Sequence, residues 1–141
     1  IVAVSISRKK GEKKINMDQA HLTVGHGLER DAHAGDWHRQ VSLLDMQSIA
    51  KIRDKGLDVD PGNFAENITT KGLQLWKLPV GTRMRLGDTV LLEVTQIGKE
   101  CHNRCAIFHQ VGDCVMPREG IFAKVLGPGT IRPGDPIEIL E

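Results

Sequence analysis

The sequence predicts a mainly β domain, a closed or partly closed β-barrel with one or two short helices. Three observations favour this class. Residues 1–7 alternate in polarity and are rich in β-branched side chains, which is typical of a strand. From Leu75 onward, short apolar runs are separated by Gly and Pro residues. A helical spacing of apolar residues is clear in one segment, residues 43–55, so strands dominate the prediction.

The helix is predicted over residues 43–55 because its apolar side chains recur every three or four positions. Ser42 or Asp45 can cap its first turn, and Gly56 can end it. Residues 64–70 follow a Pro-Gly pair and are predicted to form a short turn or helix that leads into a strand.

Two stretches share one order of features: a glycine, a short strand, a Gly-Asp pair and a second strand. The first is residues 81–95 and the second is residues 127–140. A Gly-Asp pair between two short strands is typical of a hairpin turn. Two hairpins of similar sequence are therefore predicted in the second half of the chain.

The composition is that of a single globular domain, predicted to span residues 1–141. Nineteen Lys and Arg residues against 18 Asp and Glu residues leave a net charge of +1, too little for a general nucleic-acid surface. The basic run at residues 8–14 is predicted to be a solvated hairpin loop. No apolar run reaches the length of a membrane span, so no membrane partner is expected. No oligomeric state is predicted.

The three cysteines are an odd number, and no secretory signal is recognisable, so reduced thiols in a cytoplasmic protein are expected. Cys101 and Cys105 have three residues between them, with His102 beside the first and Arg104 beside the second. Zinc is not favoured, because no second pair of ligands with the usual spacing follows. A dithiol redox pair usually has two intervening residues rather than three. Two interpretations stay open: buried structural thiols, or a reactive thiolate whose pKa is lowered by the neighbouring positive charges.

Polar side chains are concentrated in two predicted loops. Residues 31–42 contain His, Arg, Gln, Ser and Asp, and Arg39 suits an anionic ligand because a guanidinium gives bidentate contacts. The alternative is a loop whose side chains only satisfy its own backbone. For residues 61–70 the two interpretations are again a ligand pocket and a loop whose side chains bond to its own backbone. Glu66 and Asn67 lie between apolar residues, which favours a pocket wall, whereas Asn near Gly commonly forms turns.

Five segments occur in an order that resembles a known family. They are G-L-E-R-D-A-H-A-G-D-W-H-R-Q-V-S-L-L (27–44), G-N-F-A-E-N-I-T (62–69), L-P-V-G-T-R-M-R-L-G-D-T-V-L-L-E-V-T-Q (78–96), K-E-C-H-N-R-C (99–105) and a closing G-x-I-x-x-G-D (129–135). Together they are similar to a MOSC domain, the module found at the C-terminus of molybdenum-cofactor sulfurases. The resemblance spans nearly the whole chain and implies a β-barrel similar to that of pyruvate kinase.

The resemblance implies a domain that binds molybdenum cofactor, or that carries and delivers sulfur, through a cysteine. A thiolate can coordinate molybdenum or hold sulfane sulfur as a persulfide, and positive and amide groups would hold the phosphate of the pterin. The implied catalytic and metal-binding residues are Cys105 and Cys101. The implied cofactor-binding residues are Asp31, His33, Arg39, Gln40, Ser42, Glu66, Asn67 and Arg104. A sulfur donor or acceptor protein is the implied partner, because the pyridoxal-phosphate-dependent domain of the sulfurases is not among the matched segments.

The resemblance gives two answers on the functional cysteine. Members similar to the mitochondrial amidoxime-reducing component have C-x-R-C, and their molybdenum ligand follows the Arg, which indicates Cys105. Smaller stand-alone members have Thr or Ser, Gln, four residues and a single Cys, which indicates Cys101 after Thr95 and Gln96. Cys105 is slightly favoured and both are kept. The competing hypothesis is a non-catalytic module that binds an anionic ligand or a partner and has structural cysteines.

Overall fold

The computed structural model describes residues 1–7, 14–98 and 116–140. The strands in these ranges are β1 (Ala3–Ile6), β2 (Ile15–Met17), β3 (Ala20–Thr23), β4 (Gly27–Leu28), β5 (Val41–Asp45), β6 (Ile68–Thr70), β7 (Arg83–Leu86), β8 (Val90–Ile97), β9 (Ile121–Gly127), β10 (Gly129–Ile131) and β11 (Ile137–Leu140). The helical segments are α1 (Met46–Arg53), a 3-10 turn (Leu75–Lys77) and α2 (Met116–Glu119). The predicted mainly β class is confirmed. None of these helices is long and apolar enough to cross a membrane.

The strands form two sheets. Eight of them lie in the order β11-β7-β8-β9-β5-β6-β1-β2, and three lie in the order β10-β3-β4. Neighbouring strands are antiparallel, except for the parallel pair β5 and β6. Within the described ranges, β2 and β11 are the edges of the larger sheet, so closure into a barrel stays a prediction.

The main hydrophobic core draws on both sheets. It contains Leu22 of β3 from the small sheet, and Val4 of β1, Leu43 of β5, Met84 of β7 and Leu92 of β8 from the large one, all fully buried. Side chains on alternate positions of a strand face the same side, so each of these strands contributes one apolar face to this core.

A second, smaller core lies on the other face of β5. Leu44 of β5 packs there with Ile49 and Ile52 of α1, with Phe64 and with Phe122 of β9. All five residues of β5 are buried, because one face of the strand lies against the main core and the other against α1. This second face carries the candidate site described below.

The predicted helix is confirmed, but it is shorter than expected. Its first predicted residues belong to β5 (Val41–Asp45), so α1 spans Met46–Arg53. Asp45 rather than Ser42 caps the helix, since its Oδ2 accepts a hydrogen bond from Gln47 N at 3.1 Å. The prediction that residues 64–70 begin as a turn and lead into a strand is also confirmed, and that strand is β6.

The first predicted hairpin is confirmed, since β7 and β8 pair across a turn in which Gly87 adopts a φ of 61°. The second is wrong, because β10 pairs with β3 while β11 pairs with β7 in the other sheet. Pro133 and Pro136 lie between the two strands, and neither has an N–H to donate to a hairpin ladder. Arg132 N instead donates to Asp135 Oδ2 at 2.9 Å, in a turn that sends the chain from one sheet to the other.

We expect Asp45→Ala to lower the free energy of unfolding by about 3 kcal/mol, measured by urea denaturation. The change removes the cap of α1 and also the acceptor for Thr70 Oγ1 and Leu73 N, which both donate to Asp45 Oδ1. Asp58→Ala, at an exposed position, is the control and should change stability little. Equal stability of the two variants would contradict this account of the β5 to α1 junction.

Candidate functional site

A cavity of about 110 Å³ lies on the α1 side of the large sheet. Its lining residues are His33, Trp37, Arg39, Ser42, Ala65, Asn67 and Phe122. They come from three parts of the sequence: the loop before β5 with the start of that strand, the loop before β6, and β9. Because β5 pairs with both β6 and β9, the sheet brings the three parts together.

Arg39 is the charged residue at the centre of this cavity. Its Cζ lies over the ring of Trp37, 4.9 Å from the centroid, and over the ring of Phe122, 5.5 Å from the centroid. Cation–π contacts with both rings hold the guanidinium in place. The Nε atom is buried and has no hydrogen-bond partner among the described residues. A buried guanidinium donor without an acceptor is costly, so this position departs from the usual pairing of buried polar groups.

Ser42 and Asn67 form the floor of the cavity through a set of reciprocal hydrogen bonds. Ser42 N donates to Asn67 Oδ1 at 3.0 Å, and Asn67 N donates to Ser42 O at 2.9 Å and to Ser42 Oγ at 3.0 Å. Asn67 Nδ2 donates to Ser5 O at 3.1 Å. Both residues therefore line the cavity and also join β1, β5 and β6.

Glu66 lies behind the cavity wall and is fully buried. Its Oε1 accepts hydrogen bonds from Gly62 N at 2.9 Å and Phe64 N at 3.3 Å, and its Oε2 is 3.2 Å from Thr69 Oγ1. Burial raises the pKa of Glu66 to about 7, and the hydrogen bonds to its carboxyl group only partly offset that rise. Glu66 therefore holds the loop before β6 in shape.

Asp31 forms a buried ion pair with Lys14. Lys14 Nζ lies 2.6 Å from Asp31 Oδ1, and both side chains are at most 1% exposed. Ser7 N donates to the same oxygen at 3.0 Å, and His33 N donates to Asp31 Oδ2 at 3.3 Å. The pair ties the loop before β5 to the end of β1 and the start of β2.

The ion pair also orients His33, which lines the cavity. Lys14 Nζ lies 3.0 Å from His33 Nδ1, and a charged ammonium can only donate. Nδ1 is therefore the acceptor in this contact. Trp37 Nε1 donates to His33 O at 2.8 Å, so the ring that covers Arg39 is fixed to the same loop.

The structure brings four of the implied cofactor-binding residues to the cavity: His33, Arg39, Ser42 and Asn67. Asp31 and Glu66 lie behind it, in the contacts given above. Gln40 is buried and accepts a hydrogen bond from Val125 N at 2.9 Å through its Oε1, so it joins β9 to the start of β5. Arg104, Cys101 and Cys105 lie outside the described residues, and their proposed roles stay predictions.

Sequence reasoning missed two residues of this region. Lys14 was expected in a solvated loop, and that is wrong for Lys14, because it is buried against Asp31. Phe122 of β9 covers Arg39 and was not singled out. A lysine at the end of a basic run carries no local sign of burial, and only the pairing of β1 with β2 brings it to Asp31. Residues 8–13 of the basic run lie outside the described residues.

Of the two strands nearest to residues 99–115 in the sequence, β9 lines the cavity through Phe122, and β8 pairs with β9. In β9, Phe122 pairs with Ser42 on one side and with Gln96 of β8 on the other, so these three side chains lie in one row on one face. His38 Nε2 lies 2.8 Å from Gln96 Oε1, and Thr95 Oγ1 donates to His38 O. The loop before β5 is thereby bonded to the last residues of β8, directly before the segment that carries Cys101 and Cys105.

The described residues before and after the cysteine segment are joined by a hydrogen bond. Gly98 N donates to Gly120 O at 2.7 Å. Glu119 at the end of α2 accepts hydrogen bonds from Ser48 Oγ at 2.6 Å and from Lys51 Nζ at 2.8 Å. These bonds fix α2 to α1. No group of three or more His, Cys, Asp or Glu side chains within residues 1–7, 14–98 and 116–140 is placed to hold a metal ion.

The family model for the MOSC domain matches residues 29–138 of this sequence. This chain belongs to the MOSC domain family. That match covers the loop before β5, the loop before β6 and β9, which line the cavity, and it also covers the sequence of the cysteine segment. The family is associated with molybdenum-cofactor sulfurase-type function.

Solved structures share this MOSC fold. YuaD from Bacillus subtilis aligns with a TM-score of 0.80 at 20% identity, covering 97% of this chain and 92% of YuaD. YiiM from Geobacillus stearothermophilus aligns with a TM-score of 0.73 at 20% identity, covering 100% of this chain and 74% of YiiM. YiiM from Escherichia coli gives 0.66 at 21% identity, covering 100% and 70%. At such identities the likeness shows the fold alone. A search of curated proteins finds no match.

Because the pKa of Glu66 is raised, we expect the free energy of unfolding to decrease as the pH rises from about 4.5 to about 7. In this window the folded MOSC domain keeps a proton that the unfolded chain has lost, so stability present at low pH decreases by about 3 kcal/mol as pH rises. Glu66→Gln keeps the acceptor for Gly62 N and Phe64 N and carries no charge. Urea denaturation should show that the variant matches the native chain near pH 4.5 and exceeds it in stability at pH 8.

The control for Glu66 is Glu138→Gln, since Glu138 is largely exposed. This substitution should not change the pH dependence of the unfolding free energy. A Glu66→Gln variant with the same slope as the native chain between pH 4.5 and 7 would show that Glu66 does not titrate in this window.

We expect Lys14→Met to destabilise the domain by about 3 to 5 kcal/mol, because it leaves Asp31 buried without its cation. The double variant Lys14→Met, Asp31→Asn should recover part of the loss, measured as the unfolding free energy in urea. Lys71→Met, at an exposed lysine, is the matched control. If the single and double variants are equally stable, the pair is not the source of the effect.

Proposed function

We propose that this MOSC domain binds molybdenum cofactor or carries sulfur on a cysteine of residues 99–115, next to the Arg39 cavity. The observation that supports this most directly is the row Ser42, Phe122 and Gln96. Through this row, β8 before the cysteine segment and β9 after it lie side by side next to the Arg39 cavity, which Phe122 lines. Membership of the MOSC family supports the proposed chemistry of a cysteine, and Arg39 gives the cavity a positively charged group.

The charged guanidinium of Arg39 suits the phosphate of the cofactor. Arg39 lines the cavity, and Ser42 and Asn67 form its floor. The volume of about 110 Å³ is well below the roughly 300 to 1,000 Å³ of ordinary small-molecule pockets, so these residues would hold the phosphate end and not the pterin body. When bound, the cofactor supplies a molybdenum centre that a thiolate can coordinate.

The proposed roles of the cysteines are those of metal ligand or sulfur carrier. As a carrier, a Cys105 or Cys101 thiolate takes the terminal sulfur atom of a donor persulfide, becomes a persulfide itself and releases the donor as a thiolate. A sulfur donor or acceptor protein is the corresponding partner, and the chemistry requires reduced thiols, as in the cytoplasm. Arg104 would add positive charge beside Cys105, which favours the thiolate. Cys105 is slightly favoured over Cys101.

A non-catalytic anion-binding module is the second candidate. It is favoured by the fact that Arg39, Ser42, Asn67 and the covering rings of Trp37 and Phe122, which line the cavity, all lie outside the cysteine segment in the sequence. In that case the cysteines have a structural role and the ligand is held by the cavity alone.

The deciding experiment is purification of the native chain and of single Cys→Ser variants from cells that make molybdenum cofactor. Molybdenum, pterin and cyanide-labile sulfane sulfur are then measured per chain. We expect the native chain to carry molybdenum with pterin, or sulfane sulfur, and one of Cys101→Ser and Cys105→Ser to reduce that content at least tenfold. Cys114→Ser is the matched control and should keep it.

Equal molybdenum and equal sulfane sulfur in all four proteins would contradict a cysteine role and would favour the binding module. Stoichiometric zinc in the purified chain, with unfolding by a chelator, would contradict both candidates.

A further inference from the structure

The carboxyl group of Glu66 holds the loop before β6 together from the inside. Gly62 N at 2.9 Å and Phe64 N at 3.3 Å both donate to its Oε1, and Thr69 Oγ1 lies 3.2 Å from its Oε2. The side chain is fully buried, and these described contacts are all with uncharged groups. One carboxyl group therefore fixes two amides of the turn and the strand that follows it.

The closed conformation of this loop is unfavourable for its own backbone. Ala65 has a φ of 64°, in the left-handed region that a residue with a Cβ disfavours. Ala65 N donates to Gly62 O at 3.1 Å, so this conformation also depends on the position of Gly62. Strained backbone persists only where the surrounding contacts hold it. The bonds from Gly62 and Phe64 to Glu66 are such contacts, so the closed loop depends on Glu66.

The same loop forms one wall of the Arg39 cavity. Ala65 lines the cavity, and Ser42 Oγ donates to Ala65 O at 3.2 Å. Asn67 is fixed separately, through its hydrogen bonds to β1 and β5. An opening of the loop would therefore displace Ala65 while Ser42 and Asn67 keep the floor of the cavity in place.

The contacts of Glu66 suit a carboxyl group that carries a proton. Oε1 accepts from two amides, and a proton on Oε2 can be donated to Thr69 Oγ1, since a hydroxyl group both donates and accepts. Burial raises the pKa of Glu66 to about 7, and the hydrogen bonds lower it by less. A loop that opens exposes the side chain and returns its pKa toward the ordinary value of 4.5. The closed loop thus keeps a proton that the open loop releases.

The charged groups around the loop offer Glu66 no cation. The charged and titratable residues on the surrounding elements are Lys14, Asp31, His33, Arg39, Asp45, Arg53 and Asp60. Lys14 is paired with Asp31, and Arg53 with Asp60. The described hydrogen bonds of the Glu66 carboxyl group include none of the seven. An ionised Glu66 in the closed loop is therefore a buried charge without a cation, which favours opening.

We propose that Glu66 is a proton-dependent latch on the loop before β6. With its proton, the carboxyl group holds the loop closed; without it, the loop opens, Ala65 moves away from Ser42 and the Arg39 cavity widens. The latch would regulate access to the site, and this regulatory meaning rests on the proposed function. The opening itself requires neither a cofactor nor a cysteine.

Amide hydrogen exchange, measured by NMR between about pH 4.5 and about 7.5, tests the latch in chain purified from cells that make no molybdenum cofactor. The amides of Gly62, Phe64 and Ala65 report on the loop, because each donates within it. After correction for the intrinsic pH dependence of exchange, we expect the ratio of open to closed loop to rise about 100-fold. The side-chain carboxyl carbon of Glu66 should titrate near pH 7 in the same protein.

Two variants separate a latch from a merely structural role, which would alter the extent of opening but not its pH profile. Glu66→Gln imitates the protonated carboxyl group, since its oxygen accepts from both amides and its NH2 donates to Thr69 Oγ1. Its loop amides should keep the same protection across the pH range. Thr69→Val removes a hydrogen bond that lowers the pKa of Glu66, so the rise in opening should extend to higher pH. Glu138→Gln, at an exposed position, should match the native chain.

A rise of less than about threefold, or a rise in Glu66→Gln equal to that of the native chain, overturns the proposal. Exchange of the loop amides at the rate of the β7 and β8 amides, with the same steep dependence on low concentrations of urea, also overturns it. In that case the loop opens only in global unfolding. Loop amides that open more readily than those of β7 and β8, with little dependence on urea and the expected pH profile, support it.

The latch and the proposed function can fail separately. A loop that responds to pH as expected, in a protein whose cysteine variants all keep equal molybdenum and sulfane sulfur, means that the latch exists and the cysteine role fails. A cysteine variant that loses molybdenum or sulfane sulfur, in a protein whose loop does not respond to pH, means the opposite.

Discussion

The hydrogen bonds between Ser42 and Asn67 hold the two loops of the site on one frame. β5 and β6 are parallel, so no tight turn can connect them, and α1 with the loop after it separates them in the chain. The side chain of Asn67 bonds to Ser42 of β5 and to Ser5 of β1, and its backbone bonds to Ser42. Arg39 lies three residues before Ser42, and Ala65 lies two residues before Asn67, so this junction fixes both walls of the cavity.

Around this junction, several residues are placed against their own local preferences. Arg39 buries a donor without a partner among the described residues, Glu66 buries a carboxyl group, and Ala65 takes a left-handed backbone conformation. The main hydrophobic core, by contrast, consists of apolar side chains on alternate strand positions. Unfavourable local choices that a fold tolerates in one place are expected where a ligand is bound. The stability of the surrounding apolar core offsets their cost.

The sequence was informative where structure depends on neighbours in the chain. The alternation in residues 1–7 and the Gly-Asp turn between β7 and β8 predicted strands that the structure contains. The second hairpin was wrong because turn residues show where a chain bends but not which sheet receives the next strand. Lys14 was missed for a similar reason, since its burial depends on Asp31, which is 17 positions away. Family order predicted that Arg39, Ser42 and Asn67 share a region, but only strand pairing brings Phe122 to them.

The two parts of the proposed function, a bound phosphate and a cysteine thiolate, constrain each other through one charge. Among the described residues, Arg39 is the cation of the cavity whose charge is not matched by a carboxylate. A phosphate that occupies the cavity uses that charge, and a thiolate brought to the same edge by the cysteine segment would use it as well. Two anions that share one cation each weaken the binding of the other, and the effect is reciprocal. In a sulfur carrier, an occupied cavity would therefore favour the thiol over the thiolate. In a cofactor-binding domain the phosphate and the thiolate belong to one assembly, and Arg104 in the segment after β8 would add positive charge next to Cys105 in the sequence.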